Sequence, residues 1–120
     1  MKQAFIFLAT GFEEIEALGT ADILRRGGVR VSTISINGET RVMGAHNIPV
    51  IADYLFEEAD FSAADGLILP GGIPGSNHLN TCTRLKELIL EKNKENIILG
   101  AICAGPMVLG GLGLLKGRKA

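Results

Sequence analysis

Short, unbroken apolar runs recur along this chain. Between them lie stretches in which apolar positions return every three or four residues. The runs predict buried strands and the spaced stretches predict helices. Ala4–Ala9 is the first run, broken by Thr10-Gly11-Phe12. Glu13–Arg26 reads as a helix, with Ile15, Leu18, Ile23 and Leu24 broadly on one side. Glu13 and Glu14 in its first turn, Arg25 and Arg26 in its last, and the following Gly27-Gly28 all agree with its polarity and its stop. Val29–Ile36 predicts a second strand, and Asn37-Gly38 is a turn signal. Thr40–Ile51, with Gly44 and Pro49, predicts short edge strands or a hairpin. Leu55–Ala59 predicts one helical turn, Ala64-Asp65 a bend and Gly66–Leu69 a short buried strand. Pro70–Gly75 is a glycine-rich loop. Leu79–Lys94 is spaced as a helix, with Leu85, Leu88, Ile89 and Lys92 aligned and Asn93–Asn96 ending it. Ile97–Ile102 predicts another buried strand, and Gly105–Leu115 a helix rich in small residues.

Strands alternating with helices predict an α/β sandwich with a mainly parallel sheet. Such sheets bind ligands beyond the carboxyl ends of their strands, near a topological switch point. Three loops belong at that edge: Thr10–Glu16, Pro70–Gly75 and Cys103–Gly105. No repeat, linker or low-complexity segment interrupts the pattern.

At 120 residues the chain is at most one domain, and 47% hydrophobic residues suffice for a core. Twelve basic and thirteen acidic residues leave a net charge of −1. That balance gives no reason to expect a nucleic-acid or anionic-membrane partner. No run approaches the ~18–20 apolar residues of a membrane span. The acidic cluster directly after the first apolar run fits a strand entering a loop better than a signal peptide. A cytoplasmic location is the resulting expectation. Two cysteines, Cys82 and Cys103, make neither a disulfide framework nor a metal set. The exit Leu114–Ala120 reads as a helix end leading toward another strand, so the expectation is a single domain over 1–120 that lacks its C-terminal part.

The chemistry candidates fall in the three edge loops. Cys103 lies where an apolar strand turns straight into a helix, between Ile102 and the small Ala104-Gly105, with Pro106 suited to a first helical turn. A buried cysteine is ordinarily an inert small hydrophobe. A thiol at a strand-to-helix elbow instead projects outward beside a helix N-terminus, which favours the thiolate. The arrangement parallels the nucleophile elbow of serine hydrolases with sulfur in place of oxygen. Glu13 and Glu14 read as a solvated helix start. Glu16, one turn in and flanked by Ile15, Ala17 and Leu18, is the exception. Pointing into the cleft, its carboxyl would be kept protonated by burial, and would hydrogen-bond a thiolate and shuttle a proton. Gly71 and Gly72 read plainly as a loop after a strand. In a catalytic reading their bare N–H groups, with that of Ala104, form an oxyanion hole. No Gly-Lys-Ser/Thr follows, so the loop is not a phosphate-binding P-loop. A cysteine hydrolase usually needs a histidine base. His46 in the hairpin and His78 past the glycine loop fit surface or hydrogen-bonding roles better. Cys82 near a helix start reads as a bystander with some oxidisable character, and Asp22 and Asp65 have no evident partner.

Three motifs carry a resemblance over the whole chain: F-L-A-T-G-F-E-E-I-E-A at Phe7–Ala17, L-I-L-P-G-G-I-P-G at Leu67–Gly75 and A-I-C-A-G-P at Ala101–Pro106. D-I-L-R-R-G-G at Asp22–Gly28 and Val50–Asp53 agree with it. The sequence resembles the ThiJ/PfpI superfamily, in the branch of the Parkinson-disease protein deglycase and bacterial ThiJ/YajL-type proteins. The resemblance implies a flavodoxin-like three-layer α/β sandwich, related to the class I glutamine amidotransferase fold. It matches Cys103 to the family's reactive, oxidation-prone cysteine and Glu16 to the glutamate that hydrogen-bonds it. It matches Gly71, Gly72 and Ala104 to the backbone around the cysteine pocket. It further implies a homodimer, with first helices packed across the interface in some members. Ala104 stands where the protease-like branch has histidine, which argues against a protease. Family domains are longer than this chain, so residues 1–120 alone are expected to leave apolar surface exposed.

The activities implied are glutathione-independent glyoxalase, deglycation, chaperone action and oxidative-stress sensing. An older thiamine-biosynthesis label finds no supporting residue. The leading expectation is an enzyme acting on 2-oxoaldehydes or their adducts, with Cys103 as nucleophile, Glu16 as proton shuttle, and no metal or organic cofactor. The competing one is a redox sensor or chaperone-like stress protein in which Cys103 is oxidised. A glutamine amidotransferase relative is the third, requiring a His–Glu pair that is not visible in this sequence.

Overall fold

The computed structural model describes residues 2–117. Five strands form one sheet: β1 (Gln3–Leu8), β2 (Arg30–Ser35), β5 (Tyr54–Leu55), β6 (Gly66–Leu69) and β7 (Ile98–Ala101). Their order is β5-β2-β1-β6-β7 and every neighbouring pair is parallel. β3 (Arg41–Met43) and β4 (Pro49–Ile51) pair antiparallel as a separate hairpin, as Thr40–Ile51 predicts. A 3-10 turn at Phe56–Glu58 answers the expected helical turn.

Strand β1 is apolar on both faces, as a central parallel strand must be. Phe5, Phe7 and Ala9 join one core with Leu67, Leu69, Leu79, Leu85 and Ile89. Ala4, Ile6 and Leu8 join the other with Ala17, Ala21 and Val31. Burying each of the large side chains contributes about 1.5–3 kcal/mol. Helix α1 (Glu14–Arg26) covers the second face, while α2 (Gly75–Thr81), α3 (Thr83–Asn93) and α4 (Pro106–Gly111) lie against the first. Three layers result, as in the flavodoxin-like architecture. The chain leaves β1 for β2 on one side and returns to β6 on the other, so the switch point lies between β1 and β6.

Four expectations are corrected. The buried side of α1 carries Glu14, Ala17 and Ala21, while Ile15 is 81% exposed and Ile23 also faces solvent. Small alanines let α1 lie close to the sheet, and Ile15, two residues from Ala17, falls on nearly the opposite side of a 3.6-residue turn. The helix predicted over Leu79–Lys94 is two helices, with Cys82 extended between them (φ −81°, ψ 100°). Leu79 and Leu85 are both fully buried. On one continuous helix, six residues apart, they would diverge by about 120°. The break re-phases them, and the Thr81 hydroxyl assists by donating to the His78 carbonyl at 3.1 Å. Strand β7 is not the buried strand expected over Ile97–Ile102: among the described residues it pairs with β6 alone, and Ile98 is 73% exposed. The last helix, α4, stops at Gly111 rather than running to Leu115.

Candidate active site

The loops after β1, β6 and β7 converge at the carboxyl edge of the sheet. The β1 loop turns through Gly11 and Phe12 into α1, whose third residue is Glu16. Its half-buried side chain reaches across to the β6 loop, where Glu16 Oε1 accepts the Gly71 N–H at 2.8 Å. On the other side of the same glycine, the Glu13 N–H donates to the Gly71 carbonyl at 2.9 Å. The start of α1 therefore holds Gly71 through both of its backbone groups. A Cβ on Gly71 would stand 2.6 Å from Glu16 Oε1, 2.8 Å from the Cβ of Cys103 and 3.0 Å from the Ile102 carbonyl oxygen. Glu16 and Cys103 thus crowd the same side of one residue that has no side chain to keep them apart.

Cys103 sits at the predicted elbow. The Ile102 N–H donates to the Leu69 carbonyl at 3.2 Å, and the Gly105 N–H folds back to the Ile102 carbonyl at 2.8 Å. Between them Cys103 is exposed and adopts φ +57°. Few non-glycine residues occupy this left-handed region. Holding one there costs about 1–3 kcal/mol and marks an over-determined turn. The turn is fixed by close approach: a Cβ on Gly105 would collide with the Leu69 carbonyl oxygen. Helix α4 follows at once, with Pro106 in its first turn. It is six residues long, so its dipole at the elbow is smaller than that of the longer helix predicted.

The structure therefore places Glu16 and Cys103 on the same side of Gly71, with Gly72 and Ala104 as chain neighbours, and the Glu16 carboxyl bonds Gly71 rather than the expected thiol among the described residues. The Gly71 N–H is committed to Glu16 and is not free for a reacting carbonyl. His78, on α2, is exposed, and Cys82 lies at the α2–α3 break.

Beside this site is a cluster in which Glu14 departs from the sequence reading, while His46 is exposed and hydrogen-bonded as expected. Glu14, expected to be solvated, is 3% exposed. Its Oε2 accepts the His46 N–H at 2.7 Å and the Ile48 N–H at 3.3 Å, and its Oε1 lies 2.8 Å from His46 Nδ1. Glu13 caps α1 by accepting the Ile15 N–H at 2.8 Å through Oε1, and its Oε2 lies 3.6 Å from His46 Nδ1. Burial opposes ionisation of Glu14, but hydrogen bonds from the His46 ring and from surrounding peptide N–H groups prevail and bring its pKa to about 2. The hydrogen bond to Glu14, then the charges of Glu14 and Glu13, raise the pKa of His46. Thirty-two residues separate Glu14 from His46, so no local signal foretells the pair. Gly44 is the one trace: a Cβ there would collide with the Glu14 carboxyl.

A parallel doubly wound sheet with a strained cysteine elbow and a glutamate clamped to the neighbouring glycine loop defines the class of this protein. The sequence matches the DJ-1/PfpI family over residues 2–120, and the chain belongs to that family. It is 36% identical over 120 residues to protein DJ-1 homolog A of Arabidopsis thaliana, covering 99% of this chain and 31% of that protein. It is 32% identical over 118 residues to protein dj-1beta of Drosophila melanogaster, covering 98% and 63%. It is 36% identical over 106 residues to the glutathione-independent glyoxalase DJR-1.2 of Caenorhabditis elegans, covering 88% and 56%. Among solved structures, oxidized Toxoplasma gondii DJ-1 superposes with a TM-score of 0.93 at 30% identity, covering 98% of this chain and 64% of that one. A cysteine-to-alanine mutant of a DJ-1 superfamily protein from Salmonella typhimurium superposes at 0.92 with 37% identity, covering 98% and 64%. The chain spans less than two thirds of the length of these relatives.

Proposed function

We propose that this chain carries the nucleophile and proton shuttle of a glutathione-independent glyoxalase or deglycase acting on 2-oxoaldehydes or their adducts. The observation that carries the reading is Cys103, exposed and held at φ +57° against the glycine that Glu16 grips. The Cys103 thiolate adds to the aldehyde carbon. A C–S bond forms, the carbonyl π pair moves to oxygen, and that oxygen takes a proton from Glu16 to give a hemithioacetal. Glu16 then removes the proton from the former aldehyde carbon to give an enediolate and returns it to the adjacent ketone carbon, while the hydroxyl proton of the first carbon passes to the oxygen of the second, leaving a 2-hydroxyacyl thioester. Water adds to the thioester, releases the 2-hydroxy acid and returns the thiol. No external oxidant or reductant is required, because one carbon is oxidised as its neighbour is reduced. Gly71 holds Glu16, which leaves the N–H groups of Gly72 and Ala104 as candidate donors to the developing oxyanion. The similarity to a named glyoxalase supports the reaction class.

The test is methylglyoxal loss by the full chain. Saturable consumption that disappears in both Cys103→Ala and Glu16→Ala supports the reading, and consumption that survives Cys103→Ala overturns it. A second reading rests on the exposure of the same thiol and on similarity to a DJ-1 described as oxidized. In it, Cys103 attacks a peroxide oxygen, the O–O bond breaks, and a sulfenate forms with release of water or alcohol. Oxygen uptake at Cys103 without aldehyde turnover would favour that sensor. Two free thiols fit a reducing, cytoplasmic setting. We further propose assembly as a homodimer through the exposed patch of Ile15, Leu18 and Ile48.

A further inference from the structure

We infer that Glu13, Glu14 and His46 form an open binding site for a divalent transition-metal cation, separate from the Cys103 thiol. Three ligand atoms converge from two elements, the start of α1 and the β3–β4 hairpin, all within 4.8 Å of one another. His46 Nδ1 lies 2.8 Å from Glu14 Oε1 and 3.6 Å from Glu13 Oε2. An ion about 2.0–2.2 Å from each of two ligands separates them by roughly 3.0–3.5 Å at octahedral or tetrahedral angles. The two observed separations bracket that interval.

The carboxylates divide their oxygens in a way that suits the site. Glu14 gives Oε2 to the peptide N–H groups of His46 and Ile48, and Glu13 gives Oε1 to that of Ile15. These bonds fix both side chains from behind. The remaining oxygens, Glu14 Oε1 and Glu13 Oε2, both face the imidazole Nδ1. Two carboxylates supply two negative charges against about half a positive charge from the helix N-terminus, so the cluster keeps a net attraction for a dication. One imidazole nitrogen with two carboxylate oxygens suits Zn²⁺, Mn²⁺ or Fe²⁺ better than Ca²⁺ or Mg²⁺, which take oxygen ligands alone. In the single protomer the His46 side chain is 68% exposed, which leaves an entry path and room for water on the outer positions. Gly44 belongs to the same design, since any side chain there would displace Glu14.

The test is titration of Zn²⁺ into the full chain carrying Cys82→Ser and Cys103→Ser, followed by calorimetry, with Co²⁺ visible absorption as a second readout. Removing both thiols makes the result independent of the aldehyde chemistry at Cys103. One equivalent should bind with micromolar or tighter affinity, weakened at least tenfold by Glu13→Gln and by His46→Gln. Both variants leave the peptide N–H that anchors Glu14, so both should fold. Should His46→Gln fail to fold, Glu13→Gln and the Co²⁺ spectrum still decide. Absence of saturable binding, or binding that neither substitution weakens, overturns the inference.

Discussion

Glu16 and Gly71 are joined by a 2.8 Å hydrogen bond in which the glycine N–H donates to a carboxyl that lies on the same side of the glycine as Cys103. A helix start, a glycine loop and the cysteine elbow are thereby locked to one another at a point with no space for a methyl group. Gly71→Ala should cost about 1–3 kcal/mol by overpacking and lower the melting temperature by several degrees. It should also slow alkylation of Cys103 by iodoacetamide. Gly100→Ala is the matched control, since a Cβ there meets its nearest neighbour at an ordinary 3.6 Å. Equal melting temperatures for the two variants would remove Gly71 from its proposed place.

Substituting Glu16 separates holding from proton transfer. Glutamine can still accept the Gly71 N–H through its amide oxygen, but it cannot shuttle a proton. Glu16→Gln should therefore fold like the parent and lose about 10²–10⁴-fold in methylglyoxal turnover. Glu16→Ala should lose that turnover together with the clamp, and so also melt earlier. Near-parental turnover in Glu16→Gln would leave Glu16 a positioning role only.

The strands and the cysteine elbow are legible in the sequence because their causes are local. Ala4–Ala9 is apolar on consecutive residues, and Cys103 lies between a strand and the small pair that the turn requires. The errors arise where a tertiary contact overrules local pattern. Ile15 reads as core, yet Ala17 and Ala21 make the close approach to the sheet. Glu14 reads as solvated because its partners, His46 and Ile48, lie more than thirty residues away. The break at Cys82 becomes visible only once Leu79 and Leu85 are known to share one core. The convergence of three loops at one sheet edge pointed to the candidate site, while the proposed metal-ligand cluster beside it follows from distances no local pattern records.

The Glu14–His46 pair predicts a bell-shaped stability profile in chelator-treated protein. Glu14 is depressed from its ordinary 4.5 to about 2, so its contribution is complete above 4.5 and is lost as pH falls toward 2. His46 is raised from 6.5, so its contribution is complete below 6.5 and is lost as pH rises through the raised value. The pair therefore stabilises most between pH 4.5 and 6.5. Urea midpoints measured across pH should show both limbs. His46→Gln should flatten the alkaline limb, and Glu14→Gln the acid one. An acid limb unchanged in Glu14→Gln would mean that other carboxylates dominate it.

The outer face of α1 makes the last prediction. Ile15 lies alongside Leu18 and Ile48 around a shallow depression that also includes Glu14, Gly19 and Asp22. An exposed isoleucine inside a fold contributes little stability, whereas at a dimer interface its burial is worth about 1.5–3 kcal/mol per protomer. Ile15→Asp should therefore leave the unfolding of a dilute, monomeric sample within about 0.5 kcal/mol of the parent. At higher concentration it should shift sedimentation from dimer to monomer, because it places a charge against an apolar partner surface. Ile23→Asp, farther along the same helix and outside the depression, should shift the equilibrium less. A parent chain that sediments as a monomer at all concentrations would remove the proposed interface. A dimer indifferent to Ile15→Asp would move it to another face.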